Sequence, residues 1–216
     1  MRIAELATDL QTRAGAGSRY LLGIAGIPGS GKSTLAGALA AELNSAGGRP
    51  LALSVPMDGF HRSNAELQAL GLTDYKGCPA SFDVHRFVRA LSALRDCSDR
   101  NVMCPEYSRT IHEPIADAIV VPPDTRIVII EGLYLLYDQP PWHSVRELLD
   151  SVWYVDTAAA DAMQRLRLRH RAFGRSPAET ERRIGRNDRT NARTVEATRG
   201  RADRLIQFTL DDVSQP

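Results

Sequence analysis

The chain has 216 residues, of which 43% are hydrophobic and 25% are charged. This composition is typical of a globular domain with a buried core and excludes a disordered or fibrous chain. The 27 basic and 26 acidic residues leave a net charge of +1, so the chain as a whole has no electrostatic attraction to nucleic acid or to an anionic membrane. We therefore expect a single domain over residues 1–216 that binds neither.

The cysteines and the apolar runs restrict the expected location. Three cysteines without Cys-x-x-Cys spacing indicate neither a disulfide framework nor a zinc site, and they are typical of a reducing compartment. The segment around Ile3, Leu6 and Leu10 is amphipathic, and no stretch reaches the ~18 apolar residues of a membrane span. The predicted location is the cytoplasm, without a signal peptide or a membrane anchor.

In chain order, short apolar runs alternate with segments of helical period, which is the pattern of parallel strands joined by crossover helices. The runs are rich in Leu, Ile and Val, as buried parallel strands are. They predict strands at residues 20–25, 51–55, 126–130 and 151–155, and helices at residues 32–46, 83–94, 158–173 and from 176 toward 197. The predicted class is α/β.

The strongest signal is a glycine-rich turn between the first strand and the helix that follows it. Residues 26–33 fit G-x-x-x-x-G-K-[ST] in the strand-to-helix context that this motif requires. Successive backbone N–H groups of such a loop point at phosphate oxygens, and the helix dipole adds positive potential. Lys32 is predicted to reach the β and γ phosphates, and Ser33 to hold Mg²⁺. The predicted nucleotide-binding residues are Gly26, Ile27, Pro28, Gly29, Ser30, Gly31, Lys32, Ser33 and Thr34.

Two acidic residues follow the ends of predicted strands. Asp58 lies just beyond the second strand, and Glu131 closes the third. Because ligands of open α/β sheets bind outside the carboxyl ends of the strands, both carboxylates are expected to face a bound triphosphate. Phosphoryl transfer to a hydroxyl needs a base and a held Mg²⁺. We assign Asp58 as the base and Glu131 as a metal ligand, directly or through water, although the two roles could be exchanged. The structural alternative is a plain turn for Asp58 and a helix cap for Glu131.

The late part of the chain is strongly basic. Residues 165–204 hold thirteen arginines against five acids, a local charge of +8. Ser176 and Glu179 form a predicted capping box, so a new helix starts after the turn at Gly174. Two basic helices around this turn indicate a mobile lid at about residues 165–180, because arginines that close over a transferring phosphoryl group stabilise its charge and exclude water. A solvated helical hairpin explains the arginines equally well.

The order of further motifs resembles the superfamily of uridine kinase, phosphoribulokinase and bacterial pantothenate kinase over nearly the whole chain. Besides the glycine-rich turn, the resemblance is carried by Met57-Asp58-Gly59-Phe60-His61, Pro79-Ala80-Ser81-Phe82-Asp83, Tyr107-Ser108-Arg109 and Glu131-Gly132-Leu133-Tyr134. Other segments resemble the branch named for fructose transport system kinases, or nucleoside-kinase-like proteins: Lys76-Gly77-Cys78-Pro79, Arg169-His170 and Asn187-Asp188-x-x-Asn191-Ala192.

This resemblance implies a P-loop NTPase fold of three α/β/α layers, with a mostly parallel five-stranded sheet and a helical lid. It implies an ATP-dependent kinase that uses Mg²⁺ and acts on a small hydroxylated metabolite. Asp58 matches the acid that activates the acceptor hydroxyl, and Arg169 matches a catalytic lid arginine. Lys32 is the third residue assigned to catalysis. The residues matched to acceptor contacts are Asp58, His61, Asp83, Tyr107, Arg109, Asn187 and Asn191. Asp83 could instead cap the helix that follows it, and Asn187 and Asn191 could lie on a solvated face.

Two other classes of protein share some of these features. A regulatory ATPase or nucleotide switch would hydrolyse ATP without phosphorylating a metabolite, but the guanine-reading Asn-Lys-x-Asp motif of one such class is absent from the sequence. A nucleoside monophosphate kinase also combines a phosphate loop with an arginine-rich lid. An anionic acceptor should draw more arginines to its half of the site, so the polar residues Asp58, Asp83, Asn187 and Asn191 favour a neutral acceptor. Arg62 and Arg109 oppose this. We expect a sugar, nucleoside or pantothenate-like alcohol as acceptor, and a homodimer as one candidate oligomeric state.

Overall fold

A parallel sheet of five strands forms the centre of the structure, a computed structural model that describes residues 2–15, 17–45, 50–97 and 99–207. In spatial order the strands are β2 (Ala52–Pro56), β5 (Ile127–Glu131), β1 (Tyr20–Ala25), β6 (Ser151–Val155) and β7 (Arg204–Ile206), and all neighbouring pairs are parallel. An antiparallel hairpin lies apart from them and consists of β3 (Val102–Ser108) and β4 (Glu113–Val121). The predicted parallel sheet is confirmed, and its four predicted strands lie within one residue of their predicted positions.

Helices are present at the four predicted positions. The helices are α1 (Ile3–Ala14), α2 (Lys32–Leu43), α3 (Asn64–Ala69), α4 (Val84–Asp96), α5 (His143–Glu147), α6 (Ala159–Ala172), α7 (Pro177–Arg183) and α8 (Arg189–Glu196). Of these, α1, α3 and α5 were not predicted. The predicted end of α2, Ala46, lies outside the described residues. The last predicted helix is interrupted, because a π-helical stretch at Ile184–Asp188 joins α7 to α8. The predicted capping box of Ser176 and Glu179 is confirmed at the start of α7.

The sheet is covered on both faces, and this explains its apolar strands. All residues of β5 and β6 are buried. One face packs against α1 and α2 through Leu6, Leu10 and Leu35, and the other packs against α4, α5 and α6 through residues such as Phe87 and Leu166. Burying each such side chain stabilises the fold by roughly 1.5–3 kcal/mol. The result is the expected three-layer α/β/α architecture, in which only the strand ends remain free to build a site.

The β3–β4 hairpin was not predicted from the sequence. Pro105 and Pro114 lie within its strands, and proline weakens a strand signal because it cannot donate to the ladder. Most of β4 is exposed, so it shows no alternation of buried and exposed residues. The hairpin packs closely on the turn after β2, where a Cβ at Gly59 would overlap the Pro105 carbonyl oxygen. It therefore brings Tyr107 beside the end of β2.

The three cysteines, Cys78, Cys97 and Cys104, are free thiols. Burial raises the pKa of Cys104 to about 11, so this thiol stays protonated near neutral pH. Within the described ranges, no helix is both long enough and apolar enough to cross a membrane.

Candidate active site

The phosphate loop leaves β1 and leads directly into α2. Gly29 has a φ of +79°, and a Cβ at this position would overlap the carbonyl oxygen of Ala162 in α6. Gly31, with a φ of +100°, is the N-cap of α2, and no side chain caps this helix start. Left-handed backbone is costly for residues with a side chain, which explains both glycines. The first N–H groups of α2 have no partner within the helix, so the loop presents donors suited to an anion.

Lys32 is buried within this loop. Its side chain is 8% exposed, and its Nζ donates to the carbonyl oxygen of Ile27 at 3.0 Å. Burial lowers the pKa of Lys32, while the nearby carboxylates of Glu131 and Asp58 favour its charged form. The ammonium group thus lies at the loop, beside two acids.

Glu131 and Ser33 form a pair at the centre of the site. Ser33 Oγ donates to Glu131 Oε1 at 2.9 Å. Strand β5, which ends at Glu131, lies between β1, which leads to the loop, and β2, which leads to Asp58. Burial, with a contribution from Asp58, raises the pKa of the Glu131 carboxyl. The pair therefore occupies the middle of three strand ends.

These two side chains fit a magnesium ion. Mg²⁺ prefers oxygen ligands and usually takes only one or two from the protein, with the rest from phosphates and water. A hydroxyl and a carboxylate at hydrogen-bond distance supply that donor set. Among the described residues, no three His, Cys, Asp or Glu side chains form a metal cluster. Bound Mg²⁺ would neutralise charge that develops on the phosphates.

Asp58 lies in the 3₁₀ turn Met57–Phe60 that follows β2. Its half-buried carboxylate borders a cavity that it shares with Lys32, Ser33 and Glu131. The turn is held by the Asp58 backbone carbonyl, which lies 2.9 Å from His61 Nδ1, and the carboxylate makes no hydrogen bond or ion pair with another described residue. It is therefore available to accept a hydrogen bond or a proton from a hydroxyl group.

A wall of aromatic rings adjoins Asp58. The His61 ring lies 3.9 Å from the Phe82 ring and 5.1 Å from the Tyr107 ring, measured between centroids. All three residues border the same cavity, as does Arg109. Burial lowers the pKa of His61, so its imidazole is neutral at pH 7. Since Nδ1 donates to the Asp58 carbonyl, its Nε2 is assigned as a hydrogen-bond acceptor.

Asn187 and Asn191 are buried rather than solvated. Asn187 lies in the π-helical stretch, a type of helix interruption that is frequent at functional sites. Its Nδ2 donates to the Asp74 carbonyl at 2.9 Å, and Asn191 Nδ2 donates to the Gly77 carbonyl at 3.0 Å. Both residues border the cavity, but these donors hold the chain at residues 72–82, which we call the acceptor segment.

Asp83 is the predicted acceptor residue that the structure does not place on the cavity. Its Oδ1 accepts the backbone N–H of Arg86 at 2.9 Å and caps α4. Only its neighbour Phe82 borders the cavity. The capping alternative thus describes what this carboxylate does in the structure.

The arginines of α6 divide into different roles. Arg165 Nη1 donates to the Ser30 carbonyl at 3.3 Å and ties α6 to the phosphate loop. Arg167 pairs with Glu181 of α7 at 2.6 Å. Arg169 makes no hydrogen bond or ion pair with a described residue, and it borders both the main cavity and a second one along the loop. Of the predicted lid arginines, Arg169 is therefore the one positioned to meet a phosphoryl group.

Several cavity residues were missed by the sequence reasoning. They are Lys76, His112, Phe173, Arg175 and Asp188. A usable signal existed for one of them, because Lys76 is one of only two lysines in the chain. Phe173 and Arg175 fall in the predicted lid and Asp188 in a quoted motif, but no local signal showed that they border the cavity, and His112 gave no signal at all.

The assembled features surround a cavity of about 200 Å³. Three features converge at the carboxyl ends of three strands. They are a phosphate loop with its lysine, a hydroxyl–carboxylate pair suited to Mg²⁺, and a second carboxylate that pairs with no described residue. Phosphoryl transfer is achieved mainly by positioning and electrostatic stabilisation, and these groups supply both. The fold and the site define an ATP-dependent phosphotransferase with a hydroxyl group as acceptor.

Comparison with known proteins agrees with this class. The chain belongs to the phosphoribulokinase / uridine kinase family, whose model matches residues 21–207. It is 35% identical over 195 residues to a protein of Schizosaccharomyces pombe named "putative uridine kinase", covering 88% of this chain and 83% of that protein. It is 38% identical over 153 residues to pantothenate kinase of Escherichia coli O1:K1, covering 67% of this chain and 47% of the relative.

A solved structure shows the same similarity in three dimensions. It is named "putative fructose transport system kinase" and comes from Silicibacter sp. TM1040. It superposes with a TM-score of 0.87 at 39% sequence identity, covering 95% of this chain and 99% of that chain. This protein is therefore a small-molecule kinase that uses ATP with Mg²⁺.

We expect Tyr134→Phe to weaken acceptor binding more than ATP binding. The Tyr134 hydroxyl is buried and donates to the Gly77 carbonyl at 2.7 Å, so it positions the acceptor segment without bordering the cavity. Its loss should lower the free energy of unfolding by about 0.5–1.5 kcal/mol and raise the acceptor KM several-fold. Urea denaturation and steady-state kinetics measure both effects. In Tyr137→Phe, the matched control, both values should stay unchanged. If Tyr134→Phe raised the KM for ATP as much as the KM for the acceptor, the positioning role would be contradicted.

Proposed function

We propose that this protein transfers the γ-phosphoryl group of MgATP to a hydroxyl of a sugar, nucleoside or pantothenate-like metabolite, with a fructose-type sugar as the first candidate. The observation that carries the proposal is the Asp58 carboxylate, which pairs with no described residue and shares a cavity with the phosphate loop. Such a group can take the proton of an acceptor hydroxyl as the hydroxyl attacks phosphorus. The printed names of the relatives supply the candidate acceptors.

The proposal gives each group one task. Residues 26–34 bind the triphosphate, with Lys32 on its β and γ phosphates and Ser33 and Glu131 on the Mg²⁺ side. Asp58 accepts the proton of the acceptor hydroxyl. Arg169 closes over the transferred group and helps to exclude water, which is why a lid at about residues 165–180 belongs to the proposal.

The acceptor is enclosed by the walls of the same cavity. His61, Tyr107 and Arg109 contribute from the turn after β2 and from the end of the hairpin. Asn187 and Asn191 contribute mainly by fixing the acceptor segment, and Asp83 by starting α4 behind Phe82. The proposal places the enzyme in the cytoplasm, without a nucleic acid partner, and the homodimer stays a prediction that light scattering tests.

A panel assay tests the proposal. ADP release from MgATP is measured with fructose, nucleosides, pantothenate and sugar phosphates, and transfer is verified by detecting the phosphorylated product. We expect one acceptor class to raise turnover at least ten-fold above the rate with water. Hydrolysis that no acceptor stimulates would favour a regulatory ATPase, and preferential phosphorylation of nucleoside monophosphates would favour a nucleoside monophosphate kinase.

A further inference from the structure

One part of the main cavity is lined by cationic side chains. Arg175 and Arg183 border the main cavity and also an adjoining cavity that contains no residue of the loop. Asn187 is the third residue that the two cavities share. We call the place where the cavities meet, bordered by these three residues, the junction. Lys76 of the acceptor segment borders the main cavity as well.

The two arginines of the junction, and Lys76 near it, form no ion pair with a carboxylate among the described residues. Arg183 forms no hydrogen bond or ion pair there. Arg175 Nη1 contacts only the ring nitrogen Nδ1 of His170, at 3.0 Å. Lys76 Nζ donates to two neutral oxygens, Asn64 Oδ1 at 2.6 Å and the His112 carbonyl at 2.8 Å. None of these three cations forms an ion pair with a described carboxylate. Glu113 and Glu179 offset part of the charge on Lys76 and Arg175 from a longer range.

The acids that surround the junction are already engaged elsewhere. They are Asp188, which contacts His170 Nε2 at 3.1 Å; Asp74, which pairs with Arg186 at 3.2 Å; Glu179, which caps α7; and Glu113, which accepts the N–H of Asn64 at 2.9 Å. Gathering like charges in a partly buried place is unfavourable unless a counter-charge joins them. That counter-charge is expected to come from a ligand.

The nucleotide does not account for this demand. Its phosphates bind at the loop, where Lys32 and the start of α2 lie, and Arg109 and Arg169 border the cavity that runs along the loop. Arg175 and Arg183 do not border that cavity. The junction therefore belongs to the acceptor side of the site.

We propose that the acceptor carries an anionic group, a carboxylate or a phosphate monoester, which binds at the junction to Arg183 and Arg175 with Lys76 nearby. This inference rests on the proposed function and narrows it to hydroxylated acceptors that bear a negative charge. Arginine suits the task because its planar guanidinium donates two parallel hydrogen bonds to carboxylate or phosphate oxygens. A neutral sugar or nucleoside leaves these donors unpaired and is a poorer substrate.

Matched acceptor pairs test the proposal by kinetics. Each pair differs in one anionic group: glycerate and glycerol, pantothenate and pantothenol, fructose 1-phosphate and fructose, ribulose 5-phosphate and ribulose. We expect the anionic member to be preferred in kcat/KM, and Arg183→Gln to raise its KM about 10- to 100-fold, the size of a lost charge-assisted hydrogen bond. Arg183→Lys, which keeps the charge, should recover part of the loss. The pairs also separate carboxylate from phosphate recognition.

The control variant is Arg89→Gln. Arg89 is exposed on α4 and borders none of these cavities, so this change removes a surface charge without touching the junction or the lid, and acceptor kinetics should match those of the wild type. If the neutral member of a pair had a kcat/KM equal to or above that of the anionic member, the anionic acceptor would be overturned, while the proposed kinase function would stand. Hydrolysis without any transfer would instead be the failure of the proposed function.

A binding measurement tests the junction without turnover. With MgADP saturating the loop, inorganic phosphate is titrated and the thermal midpoint is recorded for the wild type, Arg183→Gln and Arg89→Gln. We expect a phosphate-dependent rise in the wild type and in Arg89→Gln that is at least halved in Arg183→Gln. An equal rise in all three proteins, or none in any, would overturn the anion site.

Discussion

Asp58→Asn is expected to lower kcat for phosphoryl transfer by about 10²- to 10⁴-fold, the usual contribution of a general base. Asparagine keeps the shape of the side chain but cannot accept the hydroxyl proton. Because the Asp58 carboxylate makes no hydrogen bond or ion pair with a described residue, its replacement leaves the fold and the phosphate loop unaltered, and the KM for ATP should stay within about two-fold of the wild type. Rapid-quench measurement of transfer separates the chemical step from product release.

Two comparisons make this result specific. Asp96→Asn changes an exposed acid at the end of α4 that borders no cavity, and its kinetics should equal those of the wild type. Glu131→Gln should instead raise the Mg²⁺ concentration needed for half-maximal activity, because Glu131 accepts the Ser33 hydroxyl on the metal side. If Asp58→Asn shifted the Mg²⁺ requirement and Glu131→Gln did not, the two roles would be exchanged; undiminished transfer in Asp58→Asn would refute the base.

Lys32→Ala is expected to lower kcat/KM for ATP by roughly 10²- to 10³-fold, comparable with the loss of one preorganised donor to a developing anion. The Lys32 ammonium is buried within the loop, where we propose that the phosphates bind. Its removal leaves the Ile27 carbonyl without this donor, so a small loss of stability accompanies the change. Lys32→Arg should not restore activity, since the larger guanidinium does not fit a side-chain site that is only 8% exposed.

The scarcity of lysine provides an independent check. Lys32 and Lys76 are the only two lysines in the chain, so acetylation of each can be followed by mass spectrometry without ambiguity. We expect MgATP to protect Lys32 strongly and Lys76 little, because Lys76 lies in the acceptor segment. Equal labelling of Lys32 with and without MgATP, together with full activity of Lys32→Ala, would place the nucleotide elsewhere.

The fold was largely predictable because its signals are local. Four apolar runs, the glycine-rich turn and the capping box at Ser176 each lie within a few neighbouring residues, and the structure confirms them. The elements that escaped prediction lack such signals: β7 has only three residues, and the hairpin carries prolines and an exposed strand. The π-helical stretch within the last helix could not be read from helix periodicity either, because its wide turn depends on what the helix packs against.

The site was predictable where chemistry follows a strand end and unpredictable where it depends on packing. Asp58 and Glu131 were identified because parallel strands end at one edge of the sheet. Asn187 and Asn191 were expected to contact the acceptor, yet their amides donate to carbonyls more than a hundred residues away in the chain. The sequence argument for a neutral acceptor could not count Lys76 as a neighbour of Arg175 and Arg183, because about a hundred residues separate it from them along the chain.

The amino-acid sequence by itself determined the α/β class, the phosphate loop and the two carboxylates, since each depends on residue order and short-range periodicity. Only the tertiary structure decided which charges share the cavity and which are neutralised, because burial and pairing depend on the contacts of the folded chain. Arg167 and Arg183 are both arginines of the basic segment, but folding gives the first an acidic partner and leaves the second facing the junction. Within four residues along the chain, Arg183 has two acids, Glu179 and Glu181, and Arg167 has none. The pairing is therefore set by neighbours in space and not by neighbours in the sequence.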